Sequence, residues 1–288
     1  ELKVFDYAKG NELYSFTNEN HYLSAPIFSP DGKLLMIACG EGTQIIDLVT
    51  GRIRLTLDTH GFVQGYSISR DNRYALILPM NSQSCQRWNL LSGELMQVLG
   101  HSGMGAPGGN SSLFHSTDFS PVSDHYALLV NQTLEIHHTE NDEILLTKDL
   151  SEYDNLSNRI RFSNDGSHIY LSTASSFVMI QASNGEVVQV LETDQNQGAN
   201  LGWISVNEKD HFMADSSNSM TFPTGNLRIW NLVSQEKMME SSWRSAGACF
   251  SPDGDSIILL FQDNTVRVFD CNRFISQSKV ESFIEQKS

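Results

Sequence analysis

The sequence predicts an all-β fold built from a repeated four-stranded unit, and three observations support this prediction. An apolar pair followed by a polar turn occurs six times, first as IFSPDGKLLMI from residue 27. A short alternating strand that ends in a polar residue occurs seven times, as in TQIID at 43–47. The apolar runs are short and are separated by Pro-Asp-Gly, Thr-Gly and Ser-Gly turns, whereas no segment of useful length keeps a helical period. A repeat of about 40 residues that holds four strands is typical of a β-propeller blade.

The first repeated element has a serine next to its turn. The six serines are Ser29, Ser69, Ser120, Ser163, Ser205 and Ser251. Their spacings are 40, 51, 43, 42 and 46 residues. In turns such as SPDG and SNDG, the aspartate caps the backbone and the glycine accepts a positive φ. We therefore expect these Asp-rich turns to be structural and not to bind a metal.

The second repeated element predicts the third strand of each unit. Its final polar positions are Asp6, Asp47, Asn89, His138, Gln181, Asn231 and Asp270. Most copies are followed by a polar turn and another short apolar run, as in LVTGRIRLTL. This order predicts an antiparallel fourth strand after each third strand.

The motif FSPDG followed by IWNL or VFD resembles the WD-repeat β-propellers, and the resemblance covers nearly the whole chain. It implies a seven-bladed β-propeller of four-stranded antiparallel blades, because the third-strand element has seven copies. The family often carries a His, Ser/Thr, Asp and Trp set within a blade. Here only Trp88 and Trp230 occupy the Trp position, and no blade shows all four residue types. Propellers attached to serine peptidases also use SPDG, so that related type is an alternative.

The repeat predicts a single propeller domain over residues 1–280, with a polar C-terminal tail at 281–288. Residues 1–16 supply only the third and fourth strands of the first blade, which is incomplete in this chain. Natural proteins avoid unpaired strand edges. We therefore expect the missing strands to lie upstream in a larger multidomain polypeptide.

The composition excludes some classes of partner. The chain has 19 basic and 34 acidic side chains, a net charge of −15, and no apolar stretch long enough to span a membrane. A broad nucleic-acid surface needs clustered Lys and Arg, so we expect neither nucleic acid nor membrane as partner and favour a protein with a basic patch. The four cysteines at 39, 85, 249 and 271 are far apart, which favours a reducing, cytoplasmic location.

The stretch HSGMGAPGGN at 101–110 contains the string G-x-G-x-x-G. A dinucleotide-binding fingerprint must open a helix, so that backbone amides meet the pyrophosphate. Here another predicted strand follows, and Pro107 lies inside the string. We expect an inserted rim loop and no cofactor.

No constellation predicts catalysis or metal binding. The chain lacks the G-x-S-x-G nucleophile motif. His137 and His138 are adjacent, so on a strand they point to opposite faces and cannot chelate together. His101 and His115 flank the glycine loop without a third ligand pattern. We expect no catalytic residue and no metal ligand.

Two charged residues lie where the resemblance implies small apolar side chains, two positions before the repeat serine. These residues are Asp118 in the fourth blade and Arg161 in the fifth. Because adjacent blades place these positions near one another, we expect a structural ion pair. A ligand-binding channel mouth is the alternative.

The resemblance implies a protein or peptide partner on the rim formed by the loops between blades. Those loops span 17–24, 58–64, 101–117, 151–158, 193–201 and 241–246. Interface energy concentrates in aromatic and arginine anchors. Trp243 and Arg244 in SSWRSAG are therefore the first candidates, followed by Phe62, Phe114 and Tyr153.

These observations predict a non-catalytic protein-interaction or sensor scaffold, a signalling role that the family implies. Two alternatives stay open. One is a substrate-gating propeller of an enzyme whose catalytic domain lies outside this chain. The other is an extracytoplasmic binding protein.

Overall fold

The computed structural model describes β-strands joined by turns and loops. The described residues are 2–6, 9–17, 24–59, 63–79, 84–100, 114–153, 156, 159–173, 176–192, 201–207, 212–217, 227–241, 245–251, 253–261 and 265–271. They form two compact units, residues 1–151 (unit 1) and 152–288 (unit 2). No helix in these ranges is long and apolar enough to cross a membrane.

Unit 1 contains four antiparallel sheets. Sheet I consists of β1 (Leu2–Asp6) and β2 (Asn11–Phe16), and sheet II of β3 (Ser24–Phe28), β4 (Leu34–Cys39), β5 (Gly42–Asp47) and β6 (Arg52–Leu57). Sheet III consists of β7 (Val63–Ile68), β8 (Tyr74–Pro79), β9 (Ser84–Asn89) and β10 (Leu95–Gly100). Sheet IV consists of β11 (Phe114–Phe119), β12 (His125–Val130), β13 (Thr133–His138) and β14 (Ile144–Asp149).

Unit 2 contains three antiparallel sheets. Sheet V consists of β15 (Ile160–Phe162), β16 (His168–Ser172), β17 (Ser176–Gln181) and β18 (Val187–Glu192); sheet VI of β19 (Leu201–Val206), β20 (Phe212–Ser217), β21 (Leu227–Asn231) and β22 (Glu236–Ser241); and sheet VII of β23 (Ser245–Phe250), β24 (Ser256–Phe261) and β25 (Val266–Asp270). In every sheet the strands follow one another in chain order, so neighbouring strands are also consecutive along the chain.

The described part of the chain contains five four-stranded sheets, so it does not confirm the predicted seven blades. Sheet I has two strands and sheet VII has three. The third-strand motif recurs seven times, but a motif for one strand does not guarantee its three neighbours. Within residues 1–16, β1 and β2 form a two-stranded sheet, and their place as the third and fourth strands of an incomplete blade stays a prediction. A single domain over 1–280 stays a prediction.

The turn between the first and second strands has the predicted chemistry. The Ser29 hydroxyl donates to Asp31 Oδ1 at 2.7 Å and accepts the Leu34 amide at 2.9 Å. The same serine–aspartate bond occurs at the turns that begin at Ser69, Ser163 and Ser251. These carboxylates are therefore used to hold the turns, as the sequence predicts.

The turn between the third and fourth strands is held by the final polar residue of the motif. Asp47 Oδ1 accepts the amides of Val49 at 2.9 Å and Thr50 at 2.8 Å. Asn89 and Asn231 accept the corresponding amides in sheets III and VI. An Asp or Asn at this place forms an Asx turn, which explains why the motif ends in a short polar residue.

The core lies between neighbouring sheets and is built mainly from second and third strands. All six residues of β4 are buried. Met36 and Ile45 of sheet II share one buried cluster with Ile77 and Trp88 of sheet III. The outer strand β18 instead alternates between buried and exposed residues, as expected for a strand with one solvated face.

Candidate functional site

The structure describes two of the five predicted partner-binding residues, Phe114 and Tyr153. Phe62, Trp243 and Arg244 lie outside the described residues. Phe114 begins β11 and pairs through its backbone with Val130. Tyr153 follows β14 and is half-buried, and this burial, together with nearby Glu152, raises the pKa of its hydroxyl. The described residues therefore leave the predicted partner-binding site untested.

The glycine-rich string at 101–110 also lies outside the described residues. The strand that follows it is β11. The next described element is therefore a strand and not a helix, and the absence of a dinucleotide stays a prediction.

The structure describes residues at the beginning of some loops between sheets, and close contacts hold these residues in place. Thr59 is buried where the chain leaves β6, and its hydroxyl lies 2.9 Å from that of Thr43. Gly42 has a φ of +129°, and a Cβ at this position would lie 2.2 Å from the Leu57 carbonyl oxygen. This close approach requires glycine and fixes the turn between β4 and β5 against the start of the 58–64 loop.

The predicted ion pair joins residues of different units and stays a prediction. Asp118 is buried in β11, opposite Ala127. Arg161 is exposed in β15, opposite Tyr170.

The two adjacent histidines face different surroundings, as predicted. His137 is buried, and its Nε2 lies 3.0 Å from Glu135 Oε2. His138 is half-buried, and its Nδ1 accepts the Glu140 amide at 3.2 Å. The described residues contain no group of three His, Cys, Asp or Glu side chains that could hold a metal ion.

A buried ionic cluster that the sequence did not predict lies between sheets III and IV, and we call it the Arg87 cluster. It consists of Arg87, Tyr126, Glu135, His137 and Asp142. Arg87 Nη1 lies 2.9 Å from Asp142 Oδ1, and the two side chains are 7% and 6% exposed. The Tyr126 hydroxyl donates to the same carboxylate oxygen at 2.7 Å. The Tyr126 and His137 rings stack with their centroids 5.0 Å apart.

Further contacts fix the guanidinium in place. Arg87 Nη1 also donates to the Thr139 carbonyl oxygen. The guanidinium carbon lies 5.8 Å from the centroid of the Tyr74 ring, within cation–π range. Arg87 Nε and Asp142 Oδ2 are buried without a hydrogen-bond partner in the described residues. The two charges are therefore compensated mainly by each other. Removal of either residue would leave an uncompensated charge in the interior.

The Arg87 cluster cannot contact a substrate from solution because it is buried. Burial and the hydrogen bond to Asp142 raise the pKa of the Tyr126 hydroxyl. Burial likewise raises the pKa of the Cys85 thiol, and raises that of Cys271 to about 11. Neither thiol has the depressed pKa of a nucleophilic cysteine. The arrangement joins two sheets and offers no activated group.

A signal for this cluster is present in the sequence. In the third-strand motif, Arg87 occupies the position that is Ile45, Ile136 and Ile229 in sheets II, IV and VI, where the isoleucines are buried. A charged residue at a position that the repeat reserves for isoleucine needs a buried partner. The motif identifies the arginine but not its partner.

No protein-family model matches the chain, and no curated protein matches it. Solved structures do. A chain of the mitotic checkpoint complex matches with a TM-score of 0.72 and 16% identity over 93% of this chain and 80% of that chain. The C-terminal WD40 domain of Sif2 matches with a TM-score of 0.66 and 16% identity over 92% of this chain and 72% of that domain.

The fold is an all-β propeller. Its four-stranded antiparallel sheets are propeller blades, as in the WD40 domain that it resembles. A chain of hydrazine synthase from Kuenenia stuttgartiensis matches almost equally well, with a TM-score of 0.67 and 13% identity over 92% of this chain and 83% of that chain. The fold therefore occurs in an enzyme as well as in a checkpoint assembly, and fold alone does not specify function.

Proposed function

We propose that this propeller is a non-catalytic scaffold that binds a protein partner through the loops between its blades. The observation that supports the proposal is the likeness to a propeller chain of the mitotic checkpoint complex, a multiprotein assembly. We also propose that the propeller has seven blades, that it is cytoplasmic and that it belongs to a longer polypeptide with further domains.

Trp243 and Arg244 are proposed as the main anchors on the rim, with Phe62, Phe114 and Tyr153 in support. The net charge of −15 favours a partner that presents a basic patch. We further propose that Asp118 and Arg161 form an ion pair that supports the scaffold and does not contact the partner.

The test is affinity capture with the wild-type protein and the Trp243→Ala/Arg244→Ala variant, compared by quantitative mass spectrometry. Loss of an anchor costs about 2 kcal/mol or more, roughly thirtyfold in Kd. The matched control is Val233→Ala, because Val233 is 71% exposed on a turn between third and fourth strands. Equal capture by the two proteins, with both folded by circular dichroism, would contradict the rim proposal.

A second candidate is a propeller that gates or supports an enzyme, which the likeness to the hydrazine synthase chain favours. In that case the protein captured in the same experiment is an enzyme whose turnover changes when the propeller binds. A captured partner whose activity is unaffected by the propeller would support the scaffold.

A further inference from the structure

The strand β10 carries no charged residue, unlike the last strand of every other described sheet. It ends sheet III and reads LMQVLG over Leu95–Gly100. The charged residues in the other last strands are Glu12, Arg52, Arg54, Lys148, Asp149, Glu192, Glu236, Lys237, Glu240, Arg267 and Asp270. The charge that precedes β10 is Glu94, whose carboxylate accepts the Ser92 hydroxyl at 3.1 Å within the turn. β10 is therefore an uncharged strand in a protein of net charge −15.

The side chains of β10 are apolar and largely exposed. Leu95, Met96 and Val98 are 44%, 49% and 52% exposed. Leu95 pairs with Trp88 of β9, and Val98 pairs with Gln86. Residues that pair across an antiparallel sheet point to the same face, and residues two positions apart on a strand share a face. Leu95 and Val98 therefore form an exposed apolar strip on one face of sheet III.

The backbone of β10 offers an edge for a further strand. Among the described strands, β10 pairs on one side only, with β9. An added strand can form main-chain hydrogen bonds with such an edge. The bulge near Leu95 does not distinguish β10, because the last strands of sheets II, IV, V and VI have bulges at the same place. Natural proteins also protect edges with charged residues, and this protection is missing in β10 alone.

The missing charge fits a second copy of this chain as the occupant of the edge. In a symmetric antiparallel pair each strand meets an identical strand, so a charged strand such as β6, with two arginines, brings like charges together. β10 brings none together. Each copy carries a net charge of −15, which opposes contacts between copies. An uncharged apolar edge is the contact that avoids this repulsion.

We propose that β10 pairs antiparallel with β10 of a second copy about a twofold axis and joins two copies of sheet III into one continuous sheet. The axis is perpendicular to the sheet, so Leu95 and Val98 of both copies lie on the same face. A single pair of strands is a small interface, and the dimer is therefore reversible. The dimer goes beyond the scaffold function proposed above, because it uses no rim residue and makes the scaffold bivalent.

The first test is sedimentation velocity of the full chain at protein concentrations from roughly 1 to 200 µM, a range suited to a small interface. A monomer–dimer equilibrium is expected. Raising the salt concentration is expected to lower the dimer Kd, because salt screens the repulsion between two copies of net charge −15. A dimer held by ion pairs would instead weaken in salt.

Val98→Lys is expected to raise the dimer Kd at least about tenfold, because a lysine protects the edge and lies close to its equivalent on the other copy. The matched control is Val188→Lys, which makes the same change in net charge. Val188 is 48% exposed on β18, a last strand that already contains Glu192. The control is expected to leave the dimer Kd unchanged.

A mixture of Val98→Lys and Val98→Glu proteins is expected to restore dimerisation, because opposite charges then meet at the twofold axis. Restoration also shows that both variants are folded. Hydrogen exchange locates the contact: peptides covering 95–100 are expected to exchange more slowly at high than at low protein concentration, and peptides covering 187–192 are expected to be unaffected.

A chain that stays monomeric at the highest concentration would overturn the proposal and leave the edge to an extended segment of a different protein. A dimer that Val98→Lys does not weaken, or that Val188→Lys weakens equally, would also overturn it, since the contact would lie elsewhere or depend on net charge alone. Trp243→Ala/Arg244→Ala must leave dimerisation unchanged, which separates failure of the dimer from failure of the rim.

Discussion

Arg87 shows how one residue changes the local packing of a repeat. Where sheets II, IV and VI bury an isoleucine, sheet III buries a guanidinium that needs Asp142 from the next sheet. The two charges lie 2.9 Å apart and are almost fully shielded from water. A buried pair of this kind contributes little compared with apolar packing, but losing one member leaves an uncompensated buried charge.

We therefore expect Arg87→Ile to destabilise the protein although isoleucine is the residue that the repeat favours. The expected loss in the free energy of unfolding is about 3–5 kcal/mol, because the Asp142 carboxylate stays buried without its cation. The measurement is urea denaturation followed by fluorescence. Arg87→Ile/Asp142→Asn should recover part of the loss, because asparagine removes the charge and tolerates the φ of +58° at this position. Purely additive effects in this double-mutant cycle would contradict the coupling.

Asp165 gives a pH-dependent prediction. The hydroxyls of Ser163 and Ser167 lower the pKa of its carboxyl to about 2, from an ordinary value of 3.8. A depressed pKa in the folded state means that the stabilisation is complete above the unfolded value and is lost as pH falls towards 2.

Asp165→Asn should therefore lower the Tm at neutral pH and leave it unchanged near pH 2. The expected loss at neutral pH is about 1 kcal/mol, because the carboxylate is exposed and its hydrogen bonds are screened by solvent. Calorimetry between pH 2 and pH 7 checks this, with Glu192→Gln at an exposed strand end as the control. A loss independent of pH would argue against the carboxylate as its cause.

At the scale of elements, the complete blades repeat not only their strands but also the irregularities of those strands. The pairing of third and fourth strands shifts register near the end of β5, β13, β17 and β21. The pairing of first and second strands shifts near the start of β7, β11 and β19. Such bulges increase local twist and are typical of repeated, strongly twisted sheets.

The turn between β4 and β5 leaves no room for a side chain at Gly42. Gly42→Ala should destabilise unit 1 by about 2–4 kcal/mol, because the new Cβ meets the Leu57 carbonyl at a positive φ. Gly32→Ala is the matched control: Gly32 has a φ of +70°, but a Cβ added there would have no described atom within 4 Å. The control should lose only about 1 kcal/mol. Equal losses in chemical denaturation would show that backbone conformation, and not the contact, is limiting.

At the scale of the whole molecule, protection from solvent follows the number of strand neighbours. β12 pairs with β11 and β13 and buries five of its six residues. β25 pairs with β24 alone in the described residues and is mostly exposed. The five complete blades and the two partial sheets therefore differ in local stability.

Hydrogen exchange should reproduce this difference. We expect the amides of β12 to exchange at least about tenfold more slowly than those of β25. Mass spectrometry of peptides covering 125–130 and 266–270 measures both strands in one sample. Equal exchange would mean that β25 has a second strand neighbour in solution.

Much of the architecture could be predicted because its signals are local. The serine–aspartate turns, the Asx turns after the third strands and the alternation of apolar residues each depend on a few neighbouring residues. Even the two-stranded start at 1–16 follows from the motif order. The Arg87 cluster could not be predicted, because the motif marks the arginine and carries no information about a partner from the next sheet.

The sequence by itself determined the repeat, the strand order and the turns, since their physical causes lie within a few residues of one another. Only the tertiary structure decided that Arg87 pairs with Asp142 and that Met36 of sheet II packs with Trp88 of sheet III. These arrangements join residues that are distant along the chain, and the packing of one sheet against the next brings them together. Burial then determines how much the ion pair and the apolar contacts contribute to stability.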